Sequence, residues 1–314
     1  MRIVFFGSPE AALPSIRALL TAGHIIPLVI TPPDRPAGRG RRLHACPVKQ
    51  FALDHKIQVF QTEKIRQDLG ILDLLKAAAA EIHIVVAYGQ IIPKNIIDLP
   101  FHSTINVHFS LLPRYRGASP VAAAILAGET RTGVTIFRLN EKMDEGDLLS
   151  AAELDIGETE STGELETRLA DLGAELLLQT LTEIKGITLR PQDHSQATLA
   201  PKLRKEDGRL NWTQTAPEIA RRVRAMTPWP SAYTFHKGER LIVVSGQPEM
   251  VTLFPAERTP PAGTVVDLTK RGIGVICGEG TGYRITRVRP ESRPPMDAQA
   301  FILGGKIGTD DLLD

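Results

Sequence analysis

At 314 residues, with 42% hydrophobic and 23% charged side chains, the chain has the composition of an ordinary globular protein and the length for two domains. A formal charge of +1 excludes whole-chain steering towards a polyanion, although residues 201–314 carry 17 basic against 13 acidic side chains, a mild local excess. Cys46 and Cys277 lack C-x-x-C spacing, which leaves no basis for a disulfide framework or a cysteine zinc site, and no apolar run reaches the ~20 residues that span a bilayer.

The chain enters a strand at once, Arg2–Phe6, without signal or transit character, so a cytoplasmic location is expected. Ser8 and Pro9 read as the N-cap and first position of a helix running to about Thr21 and stopping near Gly23. A second strand follows at Ile25–Thr31. This β-α-β start predicts a doubly wound sheet. It does not predict a dinucleotide site, since Gly-x-Gly-x-x-Gly is absent after the first strand, and a Walker-type phosphate loop is absent throughout. The run Pro32–Cys46 reads as a long loop carrying Arg35, Arg39, Arg41 and Arg42 among glycines. Such a loop suits a mobile strap for a nucleic acid backbone, and equally a merely solvated basic segment.

Helix is expected at Pro47–His55 and Ile65–Ala80, strand at Gln58–Phe60 and at Glu81–Ala87, the last ending at Tyr88-Gly89. The stretch Thr104–Gly117 is the informative one. Ile105, Val107 and Phe109 alternate with Asn106, His108 and Ser110, a strand with one apolar and one polar face. Pro113 ends the ladder, and Gly117 allows a turn before a helix at Ala118–Ala127. A strand at Gly133–Leu139, a loop at Met143–Asp147, an extended run at Leu148–Leu154 and a long helix at Ser161–Lys185, capped by Ser161 with Glu164 three residues on, complete this half. Residues 187–208 lose periodicity and read as a linker. A helix at Ala216–Ala225 is then followed by five short strands between residues 232 and 288 and a closing helix at Ala298–Leu303, the pattern of a small barrel.

Asn106, His108 and Asp144 read together as one constellation. An amide N–H and an imidazole can both donate to an oxygen that becomes negative as a carbonyl is attacked, and a carboxylate beside them can orient the imidazole and relay a proton. Ser110 has no Gly-x-Ser-x-Gly elbow around it, so acyl transfer between two bound substrates follows better than a covalent serine mechanism.

The run Asn106-Val107-His108-Phe109-Ser110-Leu111-Leu112-Pro113, then Arg116-Gly117 and Met143-Asp144-x-Gly146-Asp147, resembles the formyltransferases that use 10-formyltetrahydrofolate. Asp34–Gly40, Pro47-Val48-Lys49 and Val85–Pro93 strengthen the likeness. Lys202–Trp212 and Pro228-Trp229-Pro230 resemble the second domain of the branch that acts on methionyl-tRNA. Phe109 departs from the family, which often has Gly there, and the tail after Gly305 is given no role.

The resemblance implies a doubly wound, mostly parallel α/β catalytic domain (1–189, Rossmann-like), a linker (190–207) and a smaller OB-like β-barrel domain that binds tRNA (208–314). It implies Asn106, His108 and Asp144 as the catalytic group, with Ser110, Leu111, Leu112, Pro113 and the Val86, Ala87, Tyr88 and Gly89 backbone lining the folate site. Arg35, Arg39, Arg41, Arg42, Lys202 and Lys205 are the expected tRNA contacts. The co-substrate would be 10-formyltetrahydrofolate and the acceptor the α-amine of initiator methionyl-tRNA, with no metal, no membrane partner and a monomeric state. Rivals are a formyltransferase for another amine (a nucleotide sugar or glycinamide ribonucleotide), a 10-formyltetrahydrofolate hydrolase and, from a different class, a non-catalytic RNA-binding protein.

Overall fold

The structure, a computed structural model, describes residues 1–37, 42–249 and 260–314, with residues 37 and 42 described by backbone alone. Two compact units emerge: Met1–Pro120, Arg131–Asp155 and Glu166–Pro201 form the first, and Val121–Thr130, Ile156–Leu165 and Lys202–Asp314 the second.

In chain order the elements as far as residue 201 are β1 (Arg2–Gly7), α1 (Leu13–Thr21), β2 (Ile25–Thr31), β3 (Arg35–Ala37), β4 (Arg42–His44), α2 (Pro47–Asp54), β5 (Gln58–Gln61), α3 (Ile71–Ala78), β6 (Ile82–Val86) and α4 (Lys94–Ile97). They continue with β7 (Thr104–His108), β8 (Arg116–Gly117), α5 (Pro120–Ala127), β9 (Arg131–Arg138), β10 (Leu148–Asp155), α6 (Thr162–Glu183) and β11 (Leu199–Ala200). The main sheet has the order β10-β9-β7-β6-β1-β2-β5. Five strands, from β5 to β7, are parallel; β9 runs antiparallel to β7 and β10 antiparallel to β9, so β9 alone is reversed. The parallel strands are covered on both faces, which is why β1 and β6 are buried almost throughout and mostly apolar, His83 being the exception within β6. On one face Val4, Phe6, Ile30 and Val85 pack against Ile71, Leu75 and Ile96. The chain leaves β1 for β2 and β5 on one side, then returns to β6 and β7 on the other. The carboxyl ends of β1 and β6, where Gly7 pairs with Val86, are therefore the point where the strand order reverses.

Three local expectations differ from the structure. Ser8 caps no helix; a 3-10 turn at Glu10–Ala12 comes first, and α1 begins at Leu13 with Pro14 in its first turn. A helix begun at Pro9 would have needed an N–H that Pro14 lacks. The Ser8 hydroxyl instead donates to the Ala87 carbonyl at 3.2 Å. The long helix over Ile65–Ala80 is broken: Ile65–Gln67 is a 3-10 turn, and the Asp68 carboxylate accepts from the Gly70 N–H at 3.2 Å, competing with helical pairing. Pro32–Cys46 is not structureless, since β3 and β4 pair as a hairpin with Arg35 opposite His44 and Pro36 opposite Leu43.

The second unit contains α7 (Ala216–Ala225), β12 (Tyr233–His236), β13 (Glu239–Pro248), β14 (Val265–Thr269), β15 (Gly272–Ile276), β16 (Gly282–Pro290), β17 (Met296–Asp297) and α8 (Ala298–Leu303). Its strands form an antiparallel sheet of order β12-β13-β16-β15-β14, with β17 on β16. The Thr215–Glu218 capping box starts α7, with the Thr215 N–H donating to Glu218 Oε2 at 2.8 Å. Ile219 and Val223 turn inward, as their four-residue spacing dictates. Trp212 packs at a tilt against Tyr283 in the core and donates from its indole N–H to Thr234 Oγ1. Residues 310–314 bond both edge strands: Val265 N–H donates to Asp311 O, and Phe235 and Asp314 exchange two backbone bonds.

Asp311 anchors that tail. Its Oδ2 accepts from the Gly308 N–H at 2.8 Å, His236 Nε2 at 2.9 Å and Lys237 Nζ at 3.0 Å, and these bonds hold its carboxyl down to about 2. A depressed carboxylate stabilises the fold above its unfolded value of about 4, and the contribution fades as pH falls from there through the folded value. Asp311→Asn should therefore lower the urea midpoint at pH 7, and the gap to the parent should narrow between pH 4 and pH 2. A gap independent of pH would show that the carboxylate's charge is not what holds the tail.

Candidate active site

Asn106 and His108 lie two residues apart on β7 and so share one face of the sheet. In register, Asn106 lies between Val85 of β6 and Phe137 of β9, and His108 stands opposite Thr135. Asn106 is half-buried and His108 buried. The His108 Nε2 lies 3.0 Å from the Tyr115 carbonyl. A carbonyl oxygen only accepts, so this bond requires the proton on Nε2. The nitrogen left for chemistry is Nδ1, and it faces Asp144 Oδ2 at 3.9 Å. That distance is beyond a direct hydrogen bond, close enough for charge pairing and wide enough for a relayed proton.

Asp144 is held from the other side. The Gly117 N–H donates to its Oδ2 at 2.8 Å. Gly117 sits at φ +122°, and a Cβ there would lie 2.5 Å from the Ala200 carbonyl oxygen, so both conformation and crowding require glycine. Asp144 itself (φ 54°), Tyr115 (φ 59°) and Ala87 (φ 47°) occupy the left-handed region. Non-glycine residues there store roughly 1–3 kcal/mol of strain each, and such residues cluster at functional sites.

The turn after β7 is built from buried polar contacts. The Ser110 hydroxyl donates to Arg114 O at 2.7 Å, the Thr135 hydroxyl to Ser110 O at 2.6 Å, and the Leu112 N–H to Thr135 Oγ1 at 3.1 Å. Tyr115 N–H donates to Thr198 Oγ1, and β8 pairs with β11. The Ser110 side chain is fully buried within this turn, whereas Leu111 and Pro113 are half-exposed.

Val86–Gly89 ends the neighbouring strand, with Val86 paired to Val107. Ala87 and Gly89 are exposed, while Tyr88 is buried against Phe6. Burial pushes the Tyr88 hydroxyl well above its ordinary value, with Asp68 adding to the effect. The Gln90 amide ties this turn down, donating to Thr62 O and accepting from the Ile65 N–H.

Arg35 is exposed on β3. Its hairpin is fastened at the base by Lys49, which donates to both Asp34 oxygens (2.9 and 2.7 Å) and to Gln61 Oε1 (2.8 Å). The Lys49 ammonium, then Gln61, holds the Asp34 carboxyl below its ordinary range. Arg39, Arg41 and the Arg42 side chain lie outside the described residues. Lys202 and Lys205 are exposed on the second unit.

The structure thus brings His108 and Asp144 together, sets Asn106 beside them on the strand, and puts 86–89 and 110–113 at the ends of adjacent strands. Sequence reasoning gives Arg116 only a place in the motif, with no role, and misses Thr135, Thr198 and Gln192, whose polar groups hold these loops. No motif singles them out, because their partners are distant in sequence.

An amide, an imidazole and a carboxylate at the carboxyl edge of an open α/β sheet, with the nearby serine hydroxyl committed to its own turn, make a candidate site of the kind that group-transfer enzymes use. The comparisons agree. The formyl transferase family matches residues 1–181, and the formyl transferase C-terminal domain matches residues 202–306. A methionyl-tRNA formyltransferase of Chloroflexus aggregans is 44% identical over 97% of this chain and 97% of its own. Among solved structures, HypX from Aquifex aeolicus in complex with tetrahydrofolic acid aligns with a TM-score of 0.63 at 18% identity, over 97% of this chain and 47% of that one. This chain therefore spans about half of HypX. The N-formyltransferase from Helicobacter canadensis, in complex with folinic acid and dTDP-3-aminofucose, aligns with a TM-score of 0.65 at 15% identity, over 91% and 98%. These two show a shared fold. The chain belongs to the methionyl-tRNA formyltransferase family.

Gly117→Ala should lower the formyl-transfer kcat by about 10- to 100-fold, the scale of a ~1 Å displacement at a reacting group, while circular dichroism stays that of the parent. Unchanged kcat would mean that Asp144 does not depend on this N–H.

Proposed function

We propose that this protein transfers the formyl group of 10-formyltetrahydrofolate to the free α-amino group of methionyl-initiator tRNA. The observation that carries the reading is the placing of His108 Nδ1 against Asp144 Oδ2, two residues along the strand from Asn106. The α-amine, which ordinarily titrates at about 7.7–8.0, is partly neutral near pH 7 and attacks the formyl carbon. The Asn106 amide and the protonated Nδ1 of His108 donate to the oxyanion of the tetrahedral intermediate. Asp144 balances the imidazolium and relays the amine proton, which ends on the N10 nitrogen as the C–N10 bond breaks. Aligning two substrates contributes further, on the order of 7–11 kcal/mol for well-oriented reactions.

In this reading Ser110–Pro113 and the Val86–Gly89 backbone line the folate site. Arg35, Arg39, Arg41, Arg42, Lys202 and Lys205 contact tRNA phosphates. The tail bonds to both sheet edges support an OB-like barrel as the form of the second unit, within domain limits of 1–189 and 208–314 joined by 190–207. A monomer acting in the cytoplasm fits; among the described residues no helix is long and apolar enough to cross a membrane.

Asn106→Ala, His108→Ala and Asp144→Ala should each cost about 10²–10³ in kcat for formyl-methionyl-tRNA formation, with fold and tRNA affinity retained. Near-parental turnover in the His108 variant would sink the mechanism, and faster formylation of a nucleotide-sugar amine than of charged initiator tRNA would overturn the acceptor. Replacing Arg35, Lys202 and Lys205 together should flatten the slope of log Kd against log salt by roughly 0.7–0.9 for each phosphate that these side chains neutralise. A slope equal to the parent's would remove these residues from the tRNA interface.

A further inference from the structure

Residues 187–201 lack any helical or strand period, yet within the first unit they reach both loops that carry the site. Arg190 and Leu148 exchange backbone bonds at 2.8 and 3.0 Å, and β11 pairs with β8. Between these two fastenings lies Gln192, 6% exposed. Its Nε2 donates to the carbonyl of Asp144 at 2.9 Å and to that of Gly146 at 2.8 Å. Its Oε1 accepts from Arg116 Nε at 3.1 Å and Nη2 at 2.6 Å. A carboxamide has two N–H donors and two acceptor lone pairs, and here all four are used.

Arg116 is equally buried, 4% exposed, and its remaining side-chain contacts reach Glu145 on the loop of Asp144 and His194 on the segment that carries Gln192. Its Nη1 faces Glu145 Oε1 at 3.5 Å, and its Nη2 donates to His194 Nδ1 at 3.0 Å. Arginine only donates, so His194 carries its ring proton on Nε2. The amide and the guanidinium thus grip residues 144, 145 and 146 in succession. That grip holds Asp144 at φ 54°, a conformation a free loop would leave.

We propose that Gln192 is a positioning residue for the transfer reaction: by fixing the carbonyls of Asp144 and Gly146, it aims the Asp144 carboxylate at His108 Nδ1 and the Gly117 N–H. The inference rests on the reading of Asn106, His108 and Asp144 as the reacting group. Gln192 touches neither substrate in this scheme and acts through Asp144 alone. Binding should therefore be spared and turnover lost.

The test uses the full chain with 10-formyltetrahydrofolate and charged initiator tRNA. Gln192→Ala removes every bond. Gln192→Glu keeps size and the acceptor for Arg116 but sets an oxygen against two carbonyl oxygens, so it isolates the donor role. Both should lower kcat by about 30- to 100-fold, the cost of a ~1 Å misplacement, with KM for either substrate within about threefold. In an Asp144→Asn background the same replacements should change the residual kcat less than about twofold, since residues acting as a unit are not additive. Gln196→Ala, on the exposed side of the same segment, should keep the parental kcat. A folded Gln192→Glu variant with kcat near the parent's, a loss expressed in KM, or full additivity with Asp144→Asn would overturn the proposal. Loss of the fold in both Gln192 variants would also overturn it, by making the residue a determinant of the fold. Parental turnover in Asp144→Asn alone would instead remove the reading of the site, whatever the Gln192 variants do.

Discussion

Asp144 keeps its carboxylate beside His108 because the turn after β7 offers it a backbone N–H 2.8 Å away, at Gly117. That donor can stand there only because residue 117 has no side chain, since β11 passes with its Ala200 carbonyl where a Cβ would be. The requirement runs outward. The turn must be short and fixed, which Ser110 ensures from inside it and Thr135 from the neighbouring β9. β8 must pair with β11, which brings residues 187–201 back against the sheet. The loop between β9 and β10 must also approach closely. Gly146 meets that demand, because a Cβ there would sit 1.7 Å from the Arg138 carbonyl oxygen.

Magnitudes say which polar contacts matter. Surface pairs such as Arg131–Glu153, with both side chains more than half exposed, contribute roughly 0–1 kcal/mol. A buried donor or acceptor stripped of its partner costs about 1–3 kcal/mol, and more when charged. Thr135, Arg116 and Gln192 are all buried and all bonded, so each is held in place by the cost of leaving it unsatisfied. Those contacts fix the loops that surround the candidate site. A further contact selects the tautomer: because Tyr115 O accepts the hydrogen bond from His108 Nε2, Nδ1 is the nitrogen that faces Asp144.

Much of the fold was legible. Pattern and caps placed β1, β2, α7 and the Ser161–Glu164 start of α6, where the Ser161 N–H does donate to Glu164 Oε2 at 2.9 Å. Misreadings arose where a local signal had a stronger local competitor. Pro14 outweighed the Ser8-Pro9 helix start, and the Asp68–Gly70 contact broke a run that looked helical from Ile65 to Ala80. Histidines show the limit for sites. His83 and His108 both lie on buried strands, but His83 is shut in beside Phe6, and burial pushes it down to about 4. His108 has a carboxylate facing it. Composition and period could not separate the two; the neighbouring Asn106 and Ser110 gave His108 its claim.

By itself the sequence determined the alternation that points Asn106 and His108 the same way, the parallel character of the first sheet, and the glycine at 117, because these follow from period, burial and backbone sterics within a few residues. Only the tertiary structure decided which nitrogen of His108 is free, how Asp144 is anchored, and that an aperiodic stretch around Gln192 braces the site. Those outcomes depend on bonds such as Gln192 to Asp144, 48 residues apart, and Tyr115 to Thr198, 83 apart, for which a chain has no local signature until it is folded.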